Sequence, residues 1–198
     1  MVNPTRGMKK LPLTDATPAR VLSREELIRV CAHAKEPYRT MFRIYAGTGL
    51  RLSELQNVRR EDIDLKRGLL FVRSRPDTLT KTGKDRVVPV PTGLLPAFAE
   101  VIERTEGEFP FRHEDGTRRP ANRLRKHLKR AAQLAEIPGW QRLRLHDLRH
   151  TYATHLAEAD VNIRAIQKLG GWSSLEMVER YSNPSEGYLK EAVERLVV

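Results

Sequence analysis

The sequence predicts a mainly α-helical domain with a small three-stranded antiparallel β-sheet, an α+β arrangement in which the sheet is the minor part. Three observations predict it. Apolar residues recur at helical spacing before residue 58 and again after Pro91. Between these stretches lie two short β-rich runs, Leu69-Leu70-Phe71-Val72 and Arg86-Val87-Val88-Pro89-Val90, flanking a Lys-Thr-Gly-Lys turn. The chain has 198 residues, 39% of them hydrophobic, enough for one substantial core.

Residues 1–20 are rich in Pro, Thr and Lys without periodicity and read as an extended tail or linker; residues 21–198 read as the folded domain. Ser23-Arg24-Glu25-Glu26 is a capping box, after which Leu27, Val30, Cys31 and Ala34 recur on one helical face. Pro37 opens a second helix through Met41, Ile44 and Tyr45, which Gly47 and Gly49 stop. Ser53 to Val58 is a third, short one. The sheet is expected from Leu69–Val72, Thr78-Leu79-Thr80 and Arg86–Val90, with Lys81 and Lys84 at a hairpin tip. Beyond Pro91 the pattern stays helical, broken by the Phe109–Gly116 loop and by Pro138-Gly139. Residues 187–198 read as an amphipathic helix with Leu189, Ala192, Val193 and Leu196 on one face, suited to its own domain or to a partner.

The net charge of +11 favours a polyanion as partner. The run from Arg118 to Arg130 carries Arg118, Arg119, Arg123, Arg125, Lys126, Lys129 and Arg130 without one acid. As a helix it leaves Leu124, Leu128, Ala131, Ala132 and Ala135 for the core. A solvated basic face is one reading; charge this unbalanced fits phosphate contact better, through Arg118, Arg119, Arg123, Lys126 and Arg130. Cys31 is the only cysteine, which excludes an intrachain disulfide and a cysteine-rich metal site. The N-terminus has no signal-peptide core, and no apolar stretch approaches the roughly 18 residues of a membrane span. A cytoplasmic setting is expected.

One ordered series carries the chemistry: Thr48-Gly49-Leu50-Arg51-Leu52-Ser53-Glu54-Leu55, Lys81-Thr82-Gly83-Lys84, His146-Asp147-Leu148-Arg149-His150, Gly170-Gly171-Trp172, and Tyr181. A tyrosine that attacks a phosphodiester makes three demands. Extra negative charge on the phosphorane must be met, the leaving 5′-oxygen needs a proton, and a phenol of pKa about 10 must lose one. Arginine suits the first, because its fork binds phosphate oxygens bidentately. Arg51 follows a glycine break near a helix N-terminus; taken alone, it reads equally well as a surface arginine paired with Glu54. His146 and Arg149 share a helix face. His146 and His150 have the spacing of a helical metal pair, but the glutamate of a zinc-protease motif is missing and Arg149 opposes a cation.

In this order and spacing the series resembles the catalytic domain of tyrosine recombinases, the integrase and Xer-type family. The resemblance implies Tyr181 as nucleophile, giving a 3′-phosphotyrosyl link. Arg51, Arg149, His146 and Trp172 would stabilise the phosphorane, and Lys81, rather than Lys84, would protonate the leaving group. Glu54 would orient Arg51, His150 would support the site, and Lys84 and Arg86 would contact the DNA backbone. Trp172 stands where many relatives carry histidine; its indole cannot shuttle a proton, which leaves His146 for the tyrosine. Neither metal nor cofactor is implied. Double-stranded DNA is the implied partner, with self-association into a tetrameric synapse, in which residues 187–198 would dock on a neighbour. Asn3-Pro4-Thr5-Arg6-Gly7 looks like the linker after the family's DNA-clamping domain, which this chain lacks, so the chain reads as a catalytic fragment or a short protein. A type IB topoisomerase shares this chemistry, and a silent DNA-binding module shares the surface. The late helix and the linker favour a recombinase, and the intact series argues against silence.

Overall fold

The computed structural model describes residues 19–80, 83–181 and 193–194. Helix α1 spans Arg24–His33 and starts as the capping box requires: the Glu26 N–H donates to Ser23 Oγ at 3.2 Å, and the Ser23 N–H donates to Glu26 Oε2 at 3.0 Å. Helix α2, Tyr38–Thr48, runs through Gly47 and ends at Gly49, whose φ is +61°. A Cβ at Gly49 would lie 2.2 Å from the ring of Tyr152, so only glycine lets that ring close over the turn. Helix α3 follows at once, Leu52–Asn57.

Strands β1 (Ile63–Asp64), β2 (Leu69–Val72) and β3 (Arg86–Pro89) form an antiparallel sheet in the order β1-β2-β3. Leu70 pairs with both Ile63 and Val88, and Val72 pairs with Arg86. The third strand is therefore Ile63–Asp64 and not Thr78–Thr80. The Thr78 N–H donates to the carbonyl of Arg75 at 3.0 Å, which turns that segment back on itself and leaves it one isolated bridge. Arg75 in turn is forked onto Asp62, itself 1% exposed, at 2.7 and 2.9 Å.

The remaining helices are α4 (Leu95–Arg104), α5 (Ala121–Leu134), α6 (Leu145–Glu158), α7 (Ile163–Gly170) and the single turn α8 (Glu176–Glu179). Helix α5 starts after Pro120, so Arg118 and Arg119 precede it; Leu124, Leu128, Ala131, Ala132 and Ala135 are buried as expected. The main core gathers Phe42, Ile44, Leu50, Leu55, Leu70, Val88, Phe98, Leu128 and Leu148, each side chain worth about 1.5–3 kcal/mol of burial. A smaller cluster, Ala153, Ile166, Trp172 and Val178, has Tyr181 packed at its edge. Helix α6 serves both, contributing Leu148 to the first and Ala153 to the second.

One device recurs. In Arg51-x-x-Glu54, Arg59-x-x-Asp62 and Arg144-x-x-Asp147 the acid accepts the arginine's own backbone N–H, at 2.8, 3.0 and 2.7 Å. A carboxylate in the first turn satisfies an orphan amide and meets the positive end of the helix. The chain leading into α1 is stitched to α6: the Leu22 N–H donates to Thr151 Oγ1 at 3.1 Å, and the Leu22 carbonyl lies 2.9 Å from His155 Nε2. Among the described residues no helix is long and apolar enough to cross a membrane. The tail 1–18, Lys81 at the hairpin tip, and the 187–198 helix apart from Val193 and Glu194 lie outside the described residues.

Candidate active site

Arg149 is the anchor of the site. It leaves α6 inward and is 1% exposed, the largest fully buried side chain described. Its Nη1 donates to the carbonyl of Gly49, its guanidinium carbon lies 4.0 Å from the centre of the Trp172 ring, and its buried Nε has no partner among the described residues. No acid is ion-paired to it among those residues. Burial first, and then the like charge of Arg51, push its pKa down to about 10. A cation held this way costs desolvation free energy that an entering anion would offset.

Arg51 stands at the N-terminal end of α3 with Glu54 beneath it. Arg51 Nη1 donates to Glu54 Oε1 at 2.7 Å, while Nη2 donates to the carbonyl of Gly171 at 2.8 Å. Glu54, its side chain 2% exposed, takes a second arginine from β3: Arg86 Nη2 and Nη1 donate to Oε2 and Oε1 at 2.6 and 3.1 Å. Burial alone would raise the Glu54 carboxyl, but the hydrogen bonds and charge of Arg86, then those of Arg51, hold it down at about 2. One carboxylate thus serves two guanidiniums, and with Arg149 the cluster keeps a positive excess where a phosphate would enter. Removing the Glu54 charge would leave both arginines uncompensated, at a cost of about 3–5 kcal/mol.

Tyr181 follows α8 and rests beside Trp172, ring centres 5.9 Å apart. Its hydroxyl shares a hydrogen bond with Nδ1 of His150. Burial raises the Tyr181 phenol above its ordinary value, with Arg180 and Arg149 opposing. His146 packs edge-on against His150 at 4.7 Å but keeps an exposed edge; desolvation, then His150 and Arg149, lower it to about 4. The histidine in contact with the tyrosine is therefore His150, not His146 as the sequence suggested. Both lie on one face of α6, and Tyr181 meets the second of them.

Residues 20–187 match the phage integrase family. The chain belongs to that family. Tyrosine recombinase XerA of Pyrococcus furiosus is 35% identical over 176 residues, 86% of this chain and 58% of that relative. The chain thus spans less than two thirds of the length of this relative. The crystal structure of XerA recombinase gives a TM-score of 0.72 at 24% identity, over 96% of this chain and 70% of that one. The Tn1549 transposon integrase, in complex with a circular intermediate DNA, gives 0.74 at 23% identity, over 92% and 67%. The fold is that of tyrosine recombinase catalytic domains.

Within this integrase-family fold, the series Arg51, Glu54, His146, Arg149, His150, Trp172 and Tyr181 converges on one site. Three basic residues expected on DNA are otherwise engaged. Arg86, its side chain 7% exposed, is committed to Glu54 and to the carbonyl of Leu169 at 3.0 Å. Arg118 Nη2 donates to Asn57 Oδ1 at 2.9 Å, and Arg119 donates to the carbonyl of Arg112 and, through its backbone, to Gln56 Oε1. These two anchor the extended segment that leads into α5. Arg123, Lys126 and Arg130 are exposed along one stripe of α5 with no ion pair among the described residues, and Lys84 is exposed beside the hairpin tip. The inward role of Arg86 had a sequence signal: it alternates with Val88, which is fully buried, so both belong to the inner face of β3.

Proposed function

We propose that this chain cuts and rejoins double-stranded DNA through Tyr181, as the catalytic domain of a site-specific recombinase or integrase. The observation that carries the reading is Arg149, a guanidinium almost wholly removed from water, without an ion-pair partner among the described residues, on the Trp172 ring that also borders Tyr181. Such a group is stable in place when a phosphate supplies the missing charge.

In this reading the scissile phosphate binds between Arg51 and Arg149, with the Trp172 indole N–H as a further donor. His150 receives the phenolic proton as Tyr181 attacks phosphorus; the phosphotyrosyl bond forms at the 3′ end, and the 5′-oxygen leaves as a hydroxyl. Lys81 supplies that proton. The neutral state favoured at His146 suits it to a hydrogen bond with a phosphate oxygen. The guanidiniums meet the phosphorane charge, so the reading asks for no divalent ion. Attack by a second DNA 5′-hydroxyl on the phosphotyrosine restores the backbone without ATP. Arg123, Lys126 and Arg130 contact phosphates of the flanking duplex, residues 187–198 dock on a neighbouring protomer in a DNA-bound tetramer, and residues 1–20 form a linker beside the catalytic domain. The setting is cytoplasmic.

The test is covalent capture. The full chain is incubated in EDTA with nicked duplex DNA of randomised sequence and resolved on denaturing gels. A DNA adduct in the wild type and none in Tyr181→Phe, with duplex affinity unchanged, is the expected result. An adduct that persists in Tyr181→Phe removes that residue as nucleophile, and the absence of any adduct on these substrates rules against a domain that acts alone.

A further inference from the structure

The geometry points to Arg86 as a positioning residue that, with Glu54, locks the Leu169–Trp172 turn onto the Arg51 side of the site. The inference rests on the strand-transfer reading above for its chemistry, though not for its structure. Arg86 leaves β3 on the buried face and does not face solvent as a DNA contact would. Its guanidinium is used at three points: Nε on the carbonyl of Leu169, and Nη1 and Nη2 on the two oxygens of Glu54. Arg51, held by the same carboxylate, donates to the carbonyl of Gly171. Two arginines on one carboxylate therefore grip two carbonyls of a single turn.

That turn aims Trp172. Gly171 has φ +67°, and a Cβ on it would lie 2.8 Å from Arg86 Nη1, so the turn lies directly on the guanidinium plane. The next residue, Trp172, stacks on Arg149 and borders Tyr181. The chain of contacts runs from Arg86 through the turn to Trp172, and through Glu54 to Arg51. Arg86 is also the first residue of β3, where it pairs with Val72 of β2. One side chain thus ties that strand, the first arginine of the site and the indole into a fixed arrangement. A lysine cannot reproduce it, because a single ammonium lacks the planar fork that reaches Glu54 and Leu169 together.

The test uses Arg86→Lys in the full chain, with Trp140→Phe as background so that Trp172 is the only tryptophan. Folding is checked by the cooperativity of thermal unfolding. Acrylamide quenching of Trp172 should become easier in Arg86→Lys. Single-turnover cleavage of nicked duplex should fall about 100-fold, the order expected for an ångström-scale misplacement, while duplex affinity changes less than about 3-fold. In a Trp172→Phe background the same Arg86→Lys change should cost less cleavage, because the route through the turn has gone and only the route through Glu54 to Arg51 is left. Equal losses of affinity and cleavage would make Arg86 a DNA contact and overturn the proposal, as would unchanged quenching or an additive double mutant. Should the wild type form no adduct, the strand-transfer reading fails by itself, and quenching decides the role of Arg86.

Discussion

Arg51 is held by the buried carboxylate of Glu54 and Arg149 by the carbonyl of Gly49, whereas Tyr181 follows a four-residue helix beside a cluster whose buried members are Ala153, Ile166, Trp172 and Val178. On the cationic side Glu54 is fixed by two guanidiniums, and Arg149 is enclosed. On the nucleophile side, one hydrogen bond to His150 and the edge of Trp172 hold the phenol. The difference fits the division of labour in the proposed reaction. Charges that must meet a phosphorane work best when already in place, since reorganising them would add to the barrier. A nucleophile that joins to DNA and is later released gains from a light attachment.

The largest effect should come from breaking the rigid side. Arg149→Met should lower the rate of adduct formation by about 100- to 1,000-fold, since it removes a preorganised donor. The same change should leave Tm unchanged or higher, because an apolar side chain of similar length carries no desolvation penalty. A clear fall in Tm would mean that Arg149 is there for stability. Next comes a contrast in packing. Leu128→Ala in the main core should cost about 2–5 kcal/mol of global stability in denaturant titration. Val178→Ala, two methyl groups in the small cluster, should cost about 1–2 kcal/mol and show as faster amide exchange confined to α8 and its neighbours. Equal spread of both effects over the whole chain would show that the two regions open as one.

Where the chemistry runs along one local segment, the sequence could be read directly. Arg51 beside Glu54, the His146–Arg149 pair and Tyr181 after Trp172 are all short-range patterns, and helical spacing brought the α6 members to one face. The predicted fold class likewise followed from long periodic stretches. What escaped depends on distant pairings. Arg86 meets partners 32 and 83 positions away, and nothing near it names them, although its alternation with Val88 marks the inner face. The third strand, Ile63–Asp64, is two residues long and too short to show a period. Charge alone groups Arg118 and Arg119 with the helix, whereas Pro120 puts the helix start after them.

The smallest expected effect separates the two sides by pH. His146 is lowered to about 4, and His150 is lowered too, chiefly by burial, so the folded chain resists their protonation. An unfolded chain binds those protons near pH 6.5, so stability is complete above about pH 6.5 and falls as pH drops toward 4. Glu54, at about 2 in the folded state, adds its own loss only below its unfolded value of about 4.3. His146→Gln should therefore shrink the drop in Tm between about pH 7 and pH 5 while leaving the drop below about pH 4 intact. An unaltered profile would mean that His146 titrates as freely as in the unfolded chain.

The two bonds that stitch Leu22 to Thr151 and His155 place the entry of the domain on the helix that carries its chemistry. Residues 1–18 are thus joined, through residues 19–22, to the helix on which Arg149 and His150 are mounted, directly beside His150. A pull on that tether reaches α1 through the Arg20–Glu26 pair and α6 through Leu22. Whatever grips the upstream segment holds a mechanical handle on the site, and a bulky fusion at residue 1 tests the handle by comparing short with long spacers.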